Sequence, residues 1–251
     1  MDIKLLSYNI QSWDMNERRK TGVVDLIKKH NPDVICLQEV TVKWFSLLKK
    51  ELSDKYYFTG RDRFFGDHTA LIRDRERNCV LYKKDRFTQL YSHTYWYGDD
   101  IKTPSITEEA VFKRIFTCVG LKDRKTNKIY EQISTHLEYT TAHCRELQAK
   151  VLVNYLKKQN KTIVIAGDFN SPPEENAYQL VTSYMKDVGL EFNKNDITYH
   201  AYNNPNIKQE RIDYVFRTAN IEPKSFEIIK DKYDELPPSD HYPLECIFEI
   251  E

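Results

Sequence analysis

The sequence predicts an α/β fold: two sheets packed face to face, with helices covering their outer faces. Three observations carry that expectation. Unbroken apolar runs such as VICL (34 to 37) and IVIA (163 to 166) read as buried strands. Each closes a strand–helix–strand unit. The remaining runs, NCVLYKK, FTQLYSHTYWY, AVFKRIFTCVGL, ERIDYVF, FEIIK and LECIFEI, alternate like half-buried strands. Many strands with a few amphipathic helices fit a layered sandwich. The chain has 251 residues, 40% of them hydrophobic, and no Pro/Gly/Ser-rich linker divides it. One domain over residues 1–251 is therefore expected.

Taken in order, MDIKLLSYNIQSWD reads as a first strand over 3 to 10, not as a signal peptide. A helix follows with Val23, Leu26 and Ile27 at i, i+3, i+4, stopped by His30-Asn31-Pro32. VICL then ends in Gln38-Glu39. The pattern recurs in KIYEQISTH (128 to 136), a helix carrying Leu147, Val151 and Tyr155 at four-residue spacing, and IVIA. The four strands of these units end at Asn9, Glu39, His136 and Asp168. Identity between the units is slight, so this is an architectural echo and not a repeat. Ligand chemistry in layered folds collects at strand ends and loops, where every residue of interest falls.

Lysine plus arginine equals aspartate plus glutamate, 38 each, and the isoelectric point is about 7.0. Dedicated nucleic-acid-binding domains are usually basic, so any nucleic acid would be held locally. No stretch approaches the ~20 apolar residues that cross a bilayer, and no membrane partner is expected. The five cysteines are scattered and never in C-x-x-C spacing. They read as free thiols in a reducing compartment, without a zinc site, and point to the cytoplasm.

Singly, the polar residues at strand ends have ordinary explanations. Asn9 in SYN, or Asp168 and Asn170 in GDFN, are common turn residues, with Gly167 letting the backbone approach a ligand. Asp213 in RIDY has a structural partner to hand in Arg211, His136 could be a satisfied structural histidine, and Asp240-His241 in SDHY could cap a loop. Glu39 is harder to explain away, because a carboxylate after four apolar residues is costly to bury unless paired or on a metal. Together, Asn9, Glu39 and Asp240 form an oxygen-rich set that suits a hard divalent cation such as magnesium. His136 and His241 offer protons or phosphate contacts near neutral pH. There is no P-loop, no G-x-S-x-G and no dinucleotide fingerprint. Metal-assisted hydrolysis of a phosphate ester is what remains.

The ordered series SYN, LQEV, STHL, GDFN, RIDYVF and SDHYPL resembles the endonuclease/exonuclease/phosphatase superfamily, the fold of deoxyribonuclease I and exonuclease III, from residue 3 to about 248. ERNCVLYKKDRF, TYWY with Thr103-Pro104, Arg114 in FKRIF, and Thr198-Tyr199-His200 are similar to bacterial members related to the deadenylase branch. The resemblance implies a four-layer α/β sandwich with two mainly antiparallel sheets, and magnesium, replaceable by manganese, as cofactor. It makes Glu39 the main metal ligand, with Asn9 beside it and Asp240 at or just behind the metal. Asp168 would align or deprotonate the attacking water, and Asn170 would help bind the phosphate. His241, oriented by Asp213, would contact phosphoryl oxygens, and His136 would assist the leaving group with Glu76 as its carboxylate partner. Arg114 and His200 join Asn170 as substrate-binding residues.

Two substrate readings follow: a phosphodiesterase acting on nucleic acid, on single strands or ends, or a phosphomonoesterase for a phosphorylated sugar or inositol-like metabolite. A catalytically dead scaffold is disfavoured, because every motif position holds a competent residue. The GDFN motif departs from the GDTN of members that process DNA ends. Segment 61 to 77, RDRFFGDHTALIRDRER, could grip phosphate and stack a base, or its four acids could neutralise its five arginines on an exposed loop.

Overall fold

A computed structural model describes residues 1–251. In chain order the elements are β1 (Ile3–Asn9), α1 (Glu17–His30), β2 (Val34–Val40), α2 (Val42–Leu52), β3 (Tyr56–Thr59), β4 (Arg77–Lys83), β5 (Phe87–Trp96), β6 (Ile115–Asp123) and β7 (Ile129–His136). There follow α3 (Ala142–Lys157), β8 (Ile163–Asp168), α4 (Asn176–Thr182), β9 (Lys186–Asp187), α5 (Val188–Glu191), β10 (Asp213–Arg217), β11 (Ile221–Ile228) and β12 (Leu244–Ile250). They form two six-stranded sheets, ordered β11-β12-β1-β2-β4-β3 and β5-β6-β7-β8-β10-β9. Each sheet contains one parallel pair, β1 with β2 and β7 with β8, made by the two strand–helix–strand units.

The layers follow from side-chain alternation. In β1, Ile3 and Leu5 join a core between the sheets with Val34, Val80, Val119, Val164 and Val215. Leu6 and Tyr8 point the other way, onto α1 and α2 through Val23, Ile27, Trp44 and Leu48. A third core packs α3 and α4 on the second sheet through Ile165, Phe216, Leu152 and Leu156. Strands covered on both faces read as continuous apolar runs, and four layers result. Trp96 and Tyr97 are core residues.

Local chemistry sets the helix ends. Asn16 caps α1 by accepting from the Arg19 amide, and Asn31, left-handed at φ 46°, ends it by donating to the Ile27 carbonyl. α3 departs from expectation in part. Its buried face runs through Ala149, Leu152, Val153, Tyr155 and Leu156, so of the expected row Tyr155 is in the core while Leu147 and Val151 are half-buried. β6 also starts later than expected. The Phe112 amide donates to the Glu138 carboxylate and not to a strand ladder, so residues 110 to 114 form a loop that carries Arg114.

Candidate active site

Register brings three polar residues together in one sheet, and face-to-face packing of the sheets adds Asn9 from the other. Parallel pairing sets His136 beside Asp168, antiparallel pairing sets Asp213 opposite Asp168, and Asn9 ends β1 next to Gln38. Glu39 needs an extra device. The β2–β4 register shifts between Leu37 and Val40, and Glu39 takes a left-handed φ of 60°. Such a bulge re-aims one side chain, and an acidic residue held in αL costs energy that neighbouring contacts must offset. Gln11 and Asn170 are left-handed too, at φ 54° and 48°.

Gly167 has a different reason than a ligand's approach. A Cβ there would stand 2.0 Å from the Thr135 carbonyl oxygen of the adjacent strand. The glycine lets β7 and β8 close together.

The contacts around Asp168 define the centre. Its Oδ2 accepts from Asn9 Nδ2 at 2.9 Å and lies 3.3 Å from His136 Nε2 and 3.8 Å from His241 Nε2. Its Oδ1 accepts from the Asn170 amide at 2.8 Å. Asp213 Oδ2 is 2.8 Å from His241 Nδ1, the dyad expected from sequence. Arg211 is not its partner. That guanidinium binds Asp187 at 2.7 and 2.9 Å, which leaves Asp213 free for the histidine. The Asp213 amide donates to Thr198 Oγ1 at 3.0 Å, fixing the strand start.

Glu39 Oε2 accepts from the Ser12 amide at 2.7 Å and Oε1 from Asn9 Nδ2 at 3.1 Å. Asp240 Oδ2 accepts from Gln11 Nε2 at 2.8 Å. Asn170 turns its amide nitrogen to the Leu137 carbonyl at 2.9 Å and to His136 Nε2 at 3.1 Å. Arg114 Nη1 lies 3.1 Å from both ring nitrogens of His136, and its Nε is 3.5 Å from Glu138.

The two histidines are driven in opposite directions. Burial lowers His241, but the Asp213 and Asp168 carboxylates outweigh it and hold the ring as an imidazolium, pushed up to about 10. Burial and then the Arg114 charge keep His136 well below its usual range, hence neutral. Burial, with Asp213 beside it, raises Asp168 to about 7. For Glu39, burial pushes upward, yet the Ser12 amide and the Asn9 amide prevail and keep it ionised. Environments that split like groups apart assign acid and base roles.

The donor chemistry around Glu39 fits a hard divalent cation. The ionised Glu39 carboxylate and the Asp240 carboxylate are hard oxygen donors. Asn9 instead turns its Nδ2 to Glu39 and Asp168 and its Oδ1 to the Gln11 amide at 3.0 Å, so its amide would have to flip to offer a cation its oxygen. Asp168, Asp213 and His241 also hold ligand atoms within 4.8 Å of one another.

Two expectations need correction. Glu76 does not orient His136: its carboxylate binds Arg63 Nη1 at 2.9 Å, and the carboxylate nearest the ring is Asp168. Both residues sit on the wall of the same small cavity as Arg114. His200 is fully buried, tilted on Tyr242 at 4.1 Å, and its Nδ1 accepts from the Tyr202 amide. Burial lowers it to about 4, so a neutral ring braces the 198 to 203 turn instead of touching substrate. Sequence reasoning missed Gln11, Ser12 and Arg63. Their place two and three residues past Asn9 was the available signal for the first two; Arg63 was hidden in a charge-dense segment.

That segment largely neutralises itself, with Arg63 on Glu76 and both Arg75 and Arg77 on Asp62. Arg61 is the arginine without an ion pair, and it stacks on Phe65 at 4.1 Å. Arg73 lies 3.7 Å from Asp74, yet its side chain is 81% exposed and lines a cleft of about 580 Å³ together with Glu39, Glu76, Arg114, Trp13 and Tyr139.

A two-sheet sandwich with carboxylates and histidines gathered at its strand ends defines the class of protein. The chain belongs to the Endonuclease/Exonuclease/phosphatase family, whose pattern it matches over residues 6–241. The family's enzymes depend on divalent metal ions. The endonuclease/exonuclease/phosphatase from Bacteroides vulgatus superposes with a TM-score of 0.88 at 28% identity, covering 100% of both chains. Tyrosyl-DNA phosphodiesterase 2 of Bos taurus is 27% identical over 68% of this chain and 42% of its own length. Nocturnin of Drosophila melanogaster is 26% identical over 99% of this chain and 47% of its own length. The chain thus spans less than half the length of these two relatives.

Proposed function

We propose that this chain is a magnesium-dependent phosphodiesterase acting on nucleic acid, on single strands or ends, with manganese able to substitute. The observation that carries the reading is the Asp168 carboxylate, set between a neutral and a charged histidine beside an ionised Glu39. A cation held by Glu39, Asn9 and Asp240 would offset the negative charge that makes phosphate esters resist an anionic nucleophile.

The chain's own residues do the rest. Asp168 accepts the proton of the attacking water as the water oxygen bonds to phosphorus and the opposite P–O bond breaks, and the leaving oxygen departs as an oxyanion that takes its proton from solvent. The His241 imidazolium faces the phosphoryl oxygens with Nε2, because Asp213 engages Nδ1. Asn170 and Arg114 hold the neutral His136 ring toward the leaving group. Nucleic acid is favoured by the relatives' own names, a DNA phosphodiesterase among them, and by a cleft with room for a nucleotide beside the phosphate. The five cysteines are free and buried, in keeping with a cytoplasmic enzyme.

The test is turnover of single-stranded oligonucleotides and of hexose and inositol phosphates, with magnesium, across a salt series. Oligonucleotide cleavage that falls steeply with salt is expected, since polyanion binding releases counterions. Turnover confined to the small monoesters would reject the reading.

A further inference from the structure

The two strand–helix–strand units share a feature that the catalytic chemistry does not use. In each, the loop after the first strand presents an exposed aromatic residue, and a buried arginine from the start of the next helix clamps that loop. Four residues past Asn9 stands Trp13, 74% exposed. Its loop is held by Arg19, only 1% exposed, which donates to the carbonyls of Ile10, Gln11 (3.1 Å), Trp13 and Asp14 (2.8 Å). Three residues past His136 stands Tyr139, 55% exposed. Arg145 donates to its carbonyl at 2.9 Å while pairing with Glu175 at 2.7 Å.

An exposed tryptophan on a free loop would mean little. Here buried guanidinium groups fix the backbone and leave the rings in water, so the rings are presented and not merely stranded. Both rings line the same cleft, which opens over Glu39 and also holds Phe112, Arg73 and Arg114. Aromatic faces interleaved with arginines match the two chemistries of a nucleotide, a flat base and an anionic linkage.

We propose that Trp13 and Tyr139 form a base-stacking clamp that seats a nucleobase flanking the scissile phosphate. This rests on the nucleic-acid reading and adds that the enzyme grips bases, not only the backbone. The clamp is indifferent to base identity, because every base has a π-face.

Trp13 offers its own readout. The other two tryptophans, Trp44 and Trp96, are 0% and 1% exposed, so red-shifted, acrylamide-quenchable emission belongs to Trp13. Hydrolysis-resistant phosphorothioate hexamers of thymidine, of uridine, and of a base-less tetrahydrofuran sugar would be titrated into the magnesium-loaded chain. Base-bearing hexamers should quench that emission, shield it from acrylamide and bind about tenfold or more tighter than the base-less one. The thymidine and uridine arms tell DNA from RNA as the source of the base.

Trp13→Ala should erase the difference between base-bearing and base-less hexamers, and Trp13→Phe should restore most of it. Equal binding of all three hexamers with Trp13 unshielded, alongside oligonucleotide cleavage by the wild type, would overturn the clamp and leave the nuclease reading standing. No binding of any hexamer, with turnover only of sugar phosphates, would overturn both.

Discussion

Asp213 and His241 lie 28 residues apart in sequence and 2.8 Å apart in space. Residues that act as one unit lose their function together. Asp213→Asn and His241→Ala should each lower turnover by on the order of 10² or more, and the double variant should be little worse than the poorer single one. Fully additive losses in steady-state kinetics would break the unit. The same pair sets a pH response. His241 titrates at 6.5 in the unfolded chain and at about 10 in the fold. Its stabilisation is therefore complete below the unfolded value and is lost as pH rises through about 10. In Asp213→Asn that window should contract from its upper end. A histidine NMR titration checks this, since His241 should stay protonated past neutrality in the wild type and titrate lower in the variant.

At the scale of elements, the four strand ends named from sequence converge, with Asn9 bridging Glu39 and Asp168 and His136 3.3 Å from Asp168. Apolar runs covered on both faces leave their first polar residue at the edge of the sandwich, which is why Asn9, His136 and Asp168 were legible. Glu39 was legible as an anomaly, but the bulge that aims it was not, because register is a property of two strands. Glu76 was misassigned for a related reason: Arg63 is close only once the 61 to 77 segment folds on itself. The α3 row was legible at Tyr155 but not at its other positions, where Leu147 and Val151 are half-buried, because two hydrophobic rows compete on that helix and packing decides between them. Leu152→Ala should then cost about 2–5 kcal/mol by leaving a cavity. Val151→Ala, at the helix edge, should cost under about 1 kcal/mol. Chemical denaturation of the two variants separates them, and equal costs would put the stripe back where the spacing first placed it.

For the whole molecule, zero formal net charge excluded a global field for gathering polyanions. One cleft gathers Arg73 and Arg114 among aromatic rings above an ionised Glu39, which is the local site the proposed recognition needs. The sequence could not reveal this concentration, since it arises from loops of both units meeting across the top of the sandwich. Glu39→Gln replaces an anionic ligand by a neutral amide and should raise the magnesium concentration needed for half-maximal activity by tenfold or more, on the order of 1.4 kcal/mol or above. An unchanged magnesium requirement would remove Glu39 from the metal site.

The most direct measurement is cleavage of a labelled single-stranded oligonucleotide by the exhaustively chelated chain, before and after adding back magnesium, manganese or zinc, with Asp168→Asn in parallel. Activity should vanish on chelation, return with magnesium or manganese but not with zinc, and stay absent in Asp168→Asn under every condition. Full activity after chelation, or restored activity in Asp168→Asn, would contradict the assignment of metal-assisted phosphodiester hydrolysis to this site.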